Sequence, residues 1–469
     1  MPFNQVYMRK KMVLSGFYCL VAWSSTAIAA QDTLGSSNTL GTIWPQIESS
    51  FPGFAAKDAA IAVALQKERA LRSSMLPQVK MQAQHSYGTF EGSSGGFFPQ
   101  PGFFNVSGNA GLRGSELAVN NFGSATVEWD LITFGKQGKE KEAARTAVLR
   151  TETDKAAYLL DLKKLSSERY IALLYDESKW RWSAKNAQRL DDIRRITAGL
   201  SSAGLRPAAD SLLAYSSYVQ ALGEQQRWTG AKEASLIKFL ALFQGQSLDY
   251  QASLDRFLGL TAAKNGGVSQ AITHHPFLEN LAQASTYHQL EAEVHKRSSL
   301  PSVRLLGGYA YRSSGIGQDG MVSGAWSDGF KNSTNNVLAG VGLVWNLSSL
   351  QTNKYKAEAS RQEGEAAKAL HEQYRQGMEA NLSAVHQEIT MQFARLKNSK
   401  LAVQHAQDAY QMYLARYKSG LIALSELLQI SKLLEEAEQK HIDAAKSYWI
   451  LLAEEASLNS NFDFVFNNL

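Results

Sequence analysis

The chain has 469 residues, of which 44% are hydrophobic and 19% are charged, so it can bury a core and is not disordered by composition. Lys and Arg number 48 against 43 Asp and Glu, and a net charge of +5 is too small and too dispersed for a dedicated nucleic-acid binder. The single cysteine, Cys19, excludes a disulfide framework and a cysteine-ligated metal site.

The first residues, 1–29, have the pattern of a secretory signal peptide. Three cations at 9–11 precede an apolar run over 12–22, and Ala27-Ile28-Ala29 fits the cleavage rule. An uncleaved membrane anchor would need an apolar run of about 20 residues, longer than this one. Cys19 lies within the run and lacks the preceding small residues of a lipoprotein signal. We therefore expect an exported protein without a lipid anchor.

The rest of the sequence repeats itself once, because three pairs of similar segments occur in the same order. The pairs are 72–80 with 297–304, 128–131 with 344–347, and 204–212 with 420–428. We accordingly divide the chain into a signal peptide (1–29), an N-terminal extension (30–54), a first repeat (55–262), a linker (263–275), a second repeat (276–460) and a C-terminal tail (461–469).

Each repeat is predicted to contain a helix, two strands separated by a glycine-rich loop, and two long helices joined by a tight turn. The first repeat has helix 55–72, strands 79–91 and 117–131, and long helices 136–200 and 207–258. The second has helix 276–298, strands 303–313 and 335–347, and long helices 351–418 and 423–460. At 1.5 Å per residue, a helix over 351–418 extends about 100 Å and needs partners along its length.

The predicted strands have an apolar and a polar face, as in 303–312, where Val303, Leu305, Tyr309 and Tyr311 oppose two arginines. A soluble sheet packed on a core and a lipid-facing barrel both produce this alternation. Four strands cannot close a barrel, since single-chain barrels begin at about eight. An open edge in lipid leaves unpaired backbone groups, so strands that span a membrane must come from several chains. A barrel of about eight strands is filled by its own side chains, so a conducting one needs at least three chains.

The long helices contain a heptad stripe, which predicts coiled-coil packing. Its members are Leu382, Ile389, Leu396, Val403, Tyr410 and Tyr417. An antiparallel bundle with a solid core and a hollow cylinder of helices are both consistent with this periodicity.

Several motifs together resemble the TolC-like outer membrane channel family over about residues 40–460. They are the export signal, the repeat, the strand starts Leu76-Pro77-Gln78-Val79 and Leu300-Pro301-Ser302-Val303, the strand end Trp129-Asp130-Leu131 before Phe134-Gly135-Lys136, and Tyr417-x-x-Gly420-Leu421 followed by Glu426. The resemblance implies a mainly α fold with a β-barrel. Each protomer of a homotrimer would give four strands to a 12-stranded barrel in the outer membrane, and the long helices would form a coiled-coil periplasmic tunnel closed at its far end.

The resemblance also implies partners and a function. The partners would be a periplasmic adaptor, an inner-membrane ABC transporter or RND pump, and outer membrane lipid. The function would be type I protein secretion or small-molecule efflux. The loop 96–104 and the absent lipidation cysteine are more similar to the branch that exports large adhesins than to drug-efflux lipoproteins.

The resemblance assigns site residues to the two predicted tight turns. Gly204, Leu205, Gly420 and Leu421 would form hairpin tips that contact the adaptor. Asp210 and Tyr417 match a carboxylate–tyrosine latch, and Glu426 matches an acidic ring. Gln429 occupies the position of a second acid and Ile422 that of a latch arginine, which implies a weaker latch. Asp210 as a helix N-cap and Tyr417 as the last heptad residue are the alternatives. Trp129 and Trp345 would lie at the barrel interface.

Other motifs do not indicate catalysis. Gly315-Ile316-Gly317-Gln318-Asp319-Gly320 spells GxGxxG, but we expect a hairpin tip because no helix follows. His274 and His275 are expected to start the helix at Pro276, and His288 and His295 to be solvated. We expect no enzyme activity, metal or cofactor. A soluble periplasmic coiled-coil scaffold is the alternative to a channel.

Overall fold

The computed structural model describes residues 39–88, 117–243, 248–259, 272 and 274–469. The predicted signal peptide, the loop 96–104 and most of the linker 263–275 lie outside these residues. Within them the helices are α1 (Leu40–Ser50), α2 (Pro52–Ser74), α3 (Lys136–Ser202), α4 (Ala208–Phe243), α5 (Gln251–Leu258), α6 (Pro276–Arg297), α7 (Ser349–Lys418), α8 (Leu424–Leu458) and α9 (Asp463–Asn468). The strands are β1 (Gln78–Gly88), β2 (Ala118–Ile132), β3 (Ser302–Ser314) and β4 (Asn332–Val344).

The four strands form one antiparallel sheet in the order β1-β2-β3-β4. Each β-hairpin is entered from a helix of about 22 residues, α2 or α6, and left through a helix of 67 or 70 residues, α3 or α7. At 1.5 Å per residue these long helices extend about 100 Å away from the sheet. They then turn back into α4 and α8. The predicted fold class, mainly helical with four strands, is confirmed.

Two segments have different bounds in the structure from those predicted. The helix expected over 207–258 is interrupted: α4 ends at Phe243, residues 248–250 are not helical, and α5 starts where the Asp249 carboxylate accepts a hydrogen bond from the Gln251 N–H (3.1 Å). The strand expected over 335–347 ends at Val344, because the Asn346 carbonyl already accepts from the Ser349 N–H (3.3 Å) in the turn before α7. Trp345 therefore follows the strand.

The segments predicted as an extension and a tail are helices of the core. Leu40, Ile43 and Ile47 of α1 are fully or nearly fully buried, and the Trp44 ring lies 5.4 Å from that of Phe466 in α9. These side chains join one hydrophobic cluster with α3, α4, α5 and α8. The two ends of the described chain thus pack together about halfway along the long helices.

Candidate functional site

The two turns farthest along the chain from the sheet have the same hydrogen-bonding pattern. In the first, Gly204 has φ +73° and donates to the Ser201 carbonyl, while the Leu205 N–H donates to the Leu200 carbonyl (2.9 Å). In the second, Gly420 has φ +78° and donates to the Tyr417 carbonyl, while the Leu421 N–H donates to Arg416 (2.9 Å). These are Schellman helix ends, which need glycine for the left-handed conformation. Leu205 and Leu421 are each 70% exposed at the tips.

Tyr417 and Arg206 join the two tips. Tyr417 is fully buried, and its hydroxyl lies 3.0 Å from the Thr197 hydroxyl on α3. The Arg206 guanidinium lies 5.2 Å from the centre of the Tyr417 ring and donates a 2.6 Å hydrogen bond to the Ile422 carbonyl. A guanidinium over a tyrosine face gains electrostatically from the ring quadrupole. We call Thr197, Arg206, Tyr417 and Ile422 the tip clamp.

The other residues assigned to the latch and to the acidic rings are not part of the tip clamp. Asp210 lies partly buried in the first turn of α4, and within the described residues no hydrogen bond joins it to Tyr417. Glu426 is exposed and its carboxylate accepts from the Ala423 N–H (3.3 Å), which caps α8. Gln429 is exposed one turn further along α8. The latch of Asp210 and Tyr417 and the acidic ring therefore stay predictions for an assembly of chains.

Sequence reasoning missed Arg206 and Thr197. The repeat contained the signal for Arg206: the offset of 216 residues that relates Gly204 to Gly420 also relates Arg206 to Ile422. The arginine missing at Ile422 thus has a counterpart on the other hairpin, where it reaches the Ile422 carbonyl.

The two faces of the sheet differ in polarity. The register places every charged side chain of the described strands on one face, where Arg304 meets Asp130 (2.7 Å) and Glu128 (3.7 Å), and Lys80 meets Glu128 (3.8 Å). The remaining positions of this polar face are mainly Gln, Asn, Ser, Thr, Ala and Gly. Two hollows, of about 1040 and 260 Å³, lie along it. The polar face is therefore concave and hydrophilic.

Arg312 differs from the other charges of the polar face. It lies at the end of β3 away from the long helices, opposite Phe122 and Thr334, and is exposed. Its guanidinium lies 5.6 Å from the Phe122 ring centre, and among the described residues no carboxylate pairs with it. The charges nearer the helices compensate each other, whereas this end carries an uncompensated cation.

The opposite face is apolar and exposed. Met81 is 86% and Val337 82% accessible, and Val79, Val341 and Leu343 are also exposed. An apolar patch of this kind marks a surface that contacts lipid or another protein. None of the described helices combines the length and apolar character needed to cross a membrane.

The tryptophans predicted at the barrel interface hold equivalent positions at the base of the sheet. The Trp129 indole donates to the Met75 carbonyl (3.0 Å), just before β1, and the Trp345 indole donates to the Ser299 carbonyl (3.0 Å), just before β3. Each ties a strand's end to the turn that opens its neighbour. Both side chains remain partly exposed, at 37% and 53%.

Two ion pairs connect α3 to α8 between the sheet and the tips. Arg189 of α3 forms two parallel hydrogen bonds with Glu438 of α8, of 2.8 and 2.5 Å, and both side chains are about nine-tenths buried. Lys179, ten residues earlier on α3, is buried and lies 2.7 Å from the carboxylate of Asp443 on α8, which is about half exposed. The bidentate, buried pair of Arg189 and Glu438 in particular fixes how α3 lies against α8.

Comparison with known proteins agrees with this architecture. Residues 267–454 match the sequence model of a family described as outer membrane efflux protein. The match covers less than half of the chain, and it falls within the linker and the second repeat. The description of the family indicates that its members are proteins of the outer membrane.

Solved structures of similar channels share the fold at low sequence identity. The Campylobacter jejuni CmeC outer membrane channel matches with a TM-score of 0.72 and 14% identity over 96% of this chain and 94% of that one. CusC matches with a TM-score of 0.72 and 13% identity over 91% of this chain and 93% of that one. The Neisseria gonorrhoeae MtrE outer membrane channel, solved in its open state, matches with a TM-score of 0.69 and 14% identity over 90% of this chain and 89% of that one. No curated protein sequence matches the chain.

Proposed function

We propose that three copies of this chain form one outer membrane channel and tunnel that exports substrate delivered by an inner-membrane ABC transporter through a periplasmic adaptor. The exported substrate is a polypeptide of type I secretion, a large adhesin. The channel performs no catalysis; its energy comes from the inner-membrane partner.

The observation that carries the proposal is the open, two-faced sheet. β1 and β4 each leave one edge unpaired within the described chain, and they run in opposite directions because the four strands alternate. β4 of one copy can therefore pair antiparallel with β1 of the next. Each unpaired backbone group in lipid costs several kcal/mol, so the apolar face can enter the membrane only once the edges are closed. Three copies give twelve strands, enough for a water-filled interior.

The polar face would then line the interior. Its Gln, Asn, Ser and Thr side chains keep hydrogen-bonding groups towards water without a strong single charge, which suits an extended polypeptide of mixed composition. The missing lipidation cysteine and the loop 96–104 support the adhesin-exporting branch. Leu205 and Leu421, exposed at the tips, are the expected contacts of the adaptor.

Deleting the gene tests the substrate directly. We expect loss of one very large surface protein and unchanged susceptibility to antibiotics and detergents. Complementation with the intact gene should restore the surface protein. An unchanged surface proteome would contradict type I secretion.

Small-molecule efflux is the second candidate, favoured by the description of the matching family as outer membrane efflux protein. The same deletion distinguishes the two, since efflux predicts hypersensitivity to toxic small molecules with all surface proteins retained.

A further inference from the structure

A histidine and two glutamates converge where α6 crosses α7. Their donor atoms, one from each of His288, Glu291 and Glu363, all lie within 4.8 Å of one another. His288 Nδ1 is 3.0 Å from a Glu363 carboxylate oxygen and 3.5 Å from one of Glu291. The three residues come from two helices that precede and follow the second β-hairpin.

The crossing itself is built to bring these groups together. Gly364 is buried, and a Cβ there would lie 3.3 Å from both the Gln289 side chain and the Ser285 carbonyl. The Ser285 hydroxyl donates to the Gly364 carbonyl (2.9 Å). This close approach sets Glu363, the neighbour of Gly364, against His288, which lies three residues after Ser285. A larger residue at Gly364 would separate the two helices.

Neighbouring side chains orient the ligands. The Tyr287 hydroxyl donates to the Glu291 oxygen Oε1 (2.8 Å), which leaves Oε2 towards His288. Hydrogen bonds of this kind, made to a ligand by the residues behind it, are what orient metal ligands in proteins.

His288 Nδ1 is also an unsatisfied polar atom. It is shielded from solvent, and neither carboxylate meets it with hydrogen-bond geometry. A buried ring nitrogen aimed at two carboxylates costs free energy unless a proton or a cation sits between them. The His288 side chain is 23% exposed, so it is less solvated than expected from the sequence.

We propose that His288, Glu291 and Glu363 bind a divalent transition-metal ion, Zn²⁺ above all, that joins α6 to α7. One imidazole nitrogen and two carboxylate oxygens form a ligand set typical of Zn²⁺, whereas Mg²⁺ and Ca²⁺ take oxygen ligands. Tetrahedral bonds of about 2.0–2.2 Å place neighbouring donor atoms roughly 3.3 Å apart. The observed separations of 3.0 and 3.5 Å bracket that value. The carboxylate of Glu363, 59% exposed, leaves an entry path and room for a water ligand.

A bound ion would link two helices mechanically. α6 ends at Arg297, shortly before β3, and α7 begins at Ser349, shortly after β4. An ion held between them ties together the two helices that carry the second β-hairpin. The inference concerns a single chain and does not depend on the proposed trimer or its substrate.

Metal titration of the full chain tests the proposal. The protein is purified in detergent with an affinity tag free of histidine, stripped with a chelator, and titrated with ZnCl₂ by calorimetry and with CoCl₂ by visible absorption. We expect one Zn²⁺ per chain, an intense tetrahedral Co²⁺ spectrum, and a higher melting temperature with Zn²⁺. MgCl₂ should produce none of these.

Matched variants locate the site. H288A and E363Q should bind Zn²⁺ at least about 10-fold more weakly, as loss of a ligand implies. H295A and E365Q, which change the same residue types on the same two helices, should bind as the unaltered chain does. E363Q changes an exposed side chain isosterically, so it remains informative if H288A fails to fold. Absence of Zn²⁺ binding, or full binding in either H288A or E363Q, would overturn the proposal.

Discussion

Replacing Arg206 by alanine should favour separation of the two hairpin tips, which we expect to close the periplasmic end of the tunnel. The change removes the hydrogen bond to the Ile422 carbonyl and the contact with the Tyr417 ring. A hydrogen bond from a charged group contributes about 1.5–3 kcal/mol, and a cation–π contact about 0.5–2 kcal/mol. Because Arg206 is only partly buried, we take the low end, about 2 kcal/mol in each chain. That shifts the equilibrium between joined and separated tips about 30-fold.

Single-channel recording in planar bilayers measures this shift. R206A should raise the open fraction or the conductance clearly. Y417F, which removes only the hydroxyl next to Thr197, should have a smaller effect, about fivefold, for a neutral hydrogen bond of about 1 kcal/mol. R195A is the control, because Arg195 is exposed and pairs with Asp191 on its own helix. If R206A conducts like R195A and the unaltered channel, the tip clamp does not keep the end of the tunnel closed.

Three further predictions concern charge and stability. R312Q should shift the reversal potential in a KCl gradient towards cation selectivity, since three uncompensated guanidiniums would otherwise attract anions at the outer end of the lumen; an unchanged potential refutes this. E438Q should lower the free energy of unfolding, measured by urea denaturation, by about 3–5 kcal/mol, because the buried Arg189 charge loses its partner. E436Q, which changes an exposed glutamate on the same helix, should alter it little. Burial, with Lys400 nearby, lowers the pKa of His441 below its unfolded value, so protonation favours unfolding. Thermal stability should therefore decrease as the pH falls below about 6.5, less steeply in H441Q than in the unaltered chain.

Much of the sheet and of the long helices was predictable because their patterns are local. Alternation of apolar and polar residues located each strand to within a few residues, and the missing prolines and the heptad stripe located α7. A strand with one face in water and the other in an apolar medium needs alternating polar and apolar residues, and this alternation is visible in its own sequence.

The tip clamp and the metal-ligand cluster were not predictable by the same reasoning. Arg206 meets Tyr417 only because two hairpins lie side by side, and His288 meets Glu363 only because Gly364 allows α6 and α7 to approach. The helical ends α1 and α9 were missed for a related reason. Segments this short gain their stability from packing against the core rather than from their own periodicity.

The number of chains in the particle extracted from the outer membrane tests the central claim most directly. Native mass spectrometry after mild detergent extraction should find three copies, with dissociation to single chains only after heating. A single chain in the native particle would contradict the account, because the unpaired edges of β1 and β4 would then have no partner in the membrane.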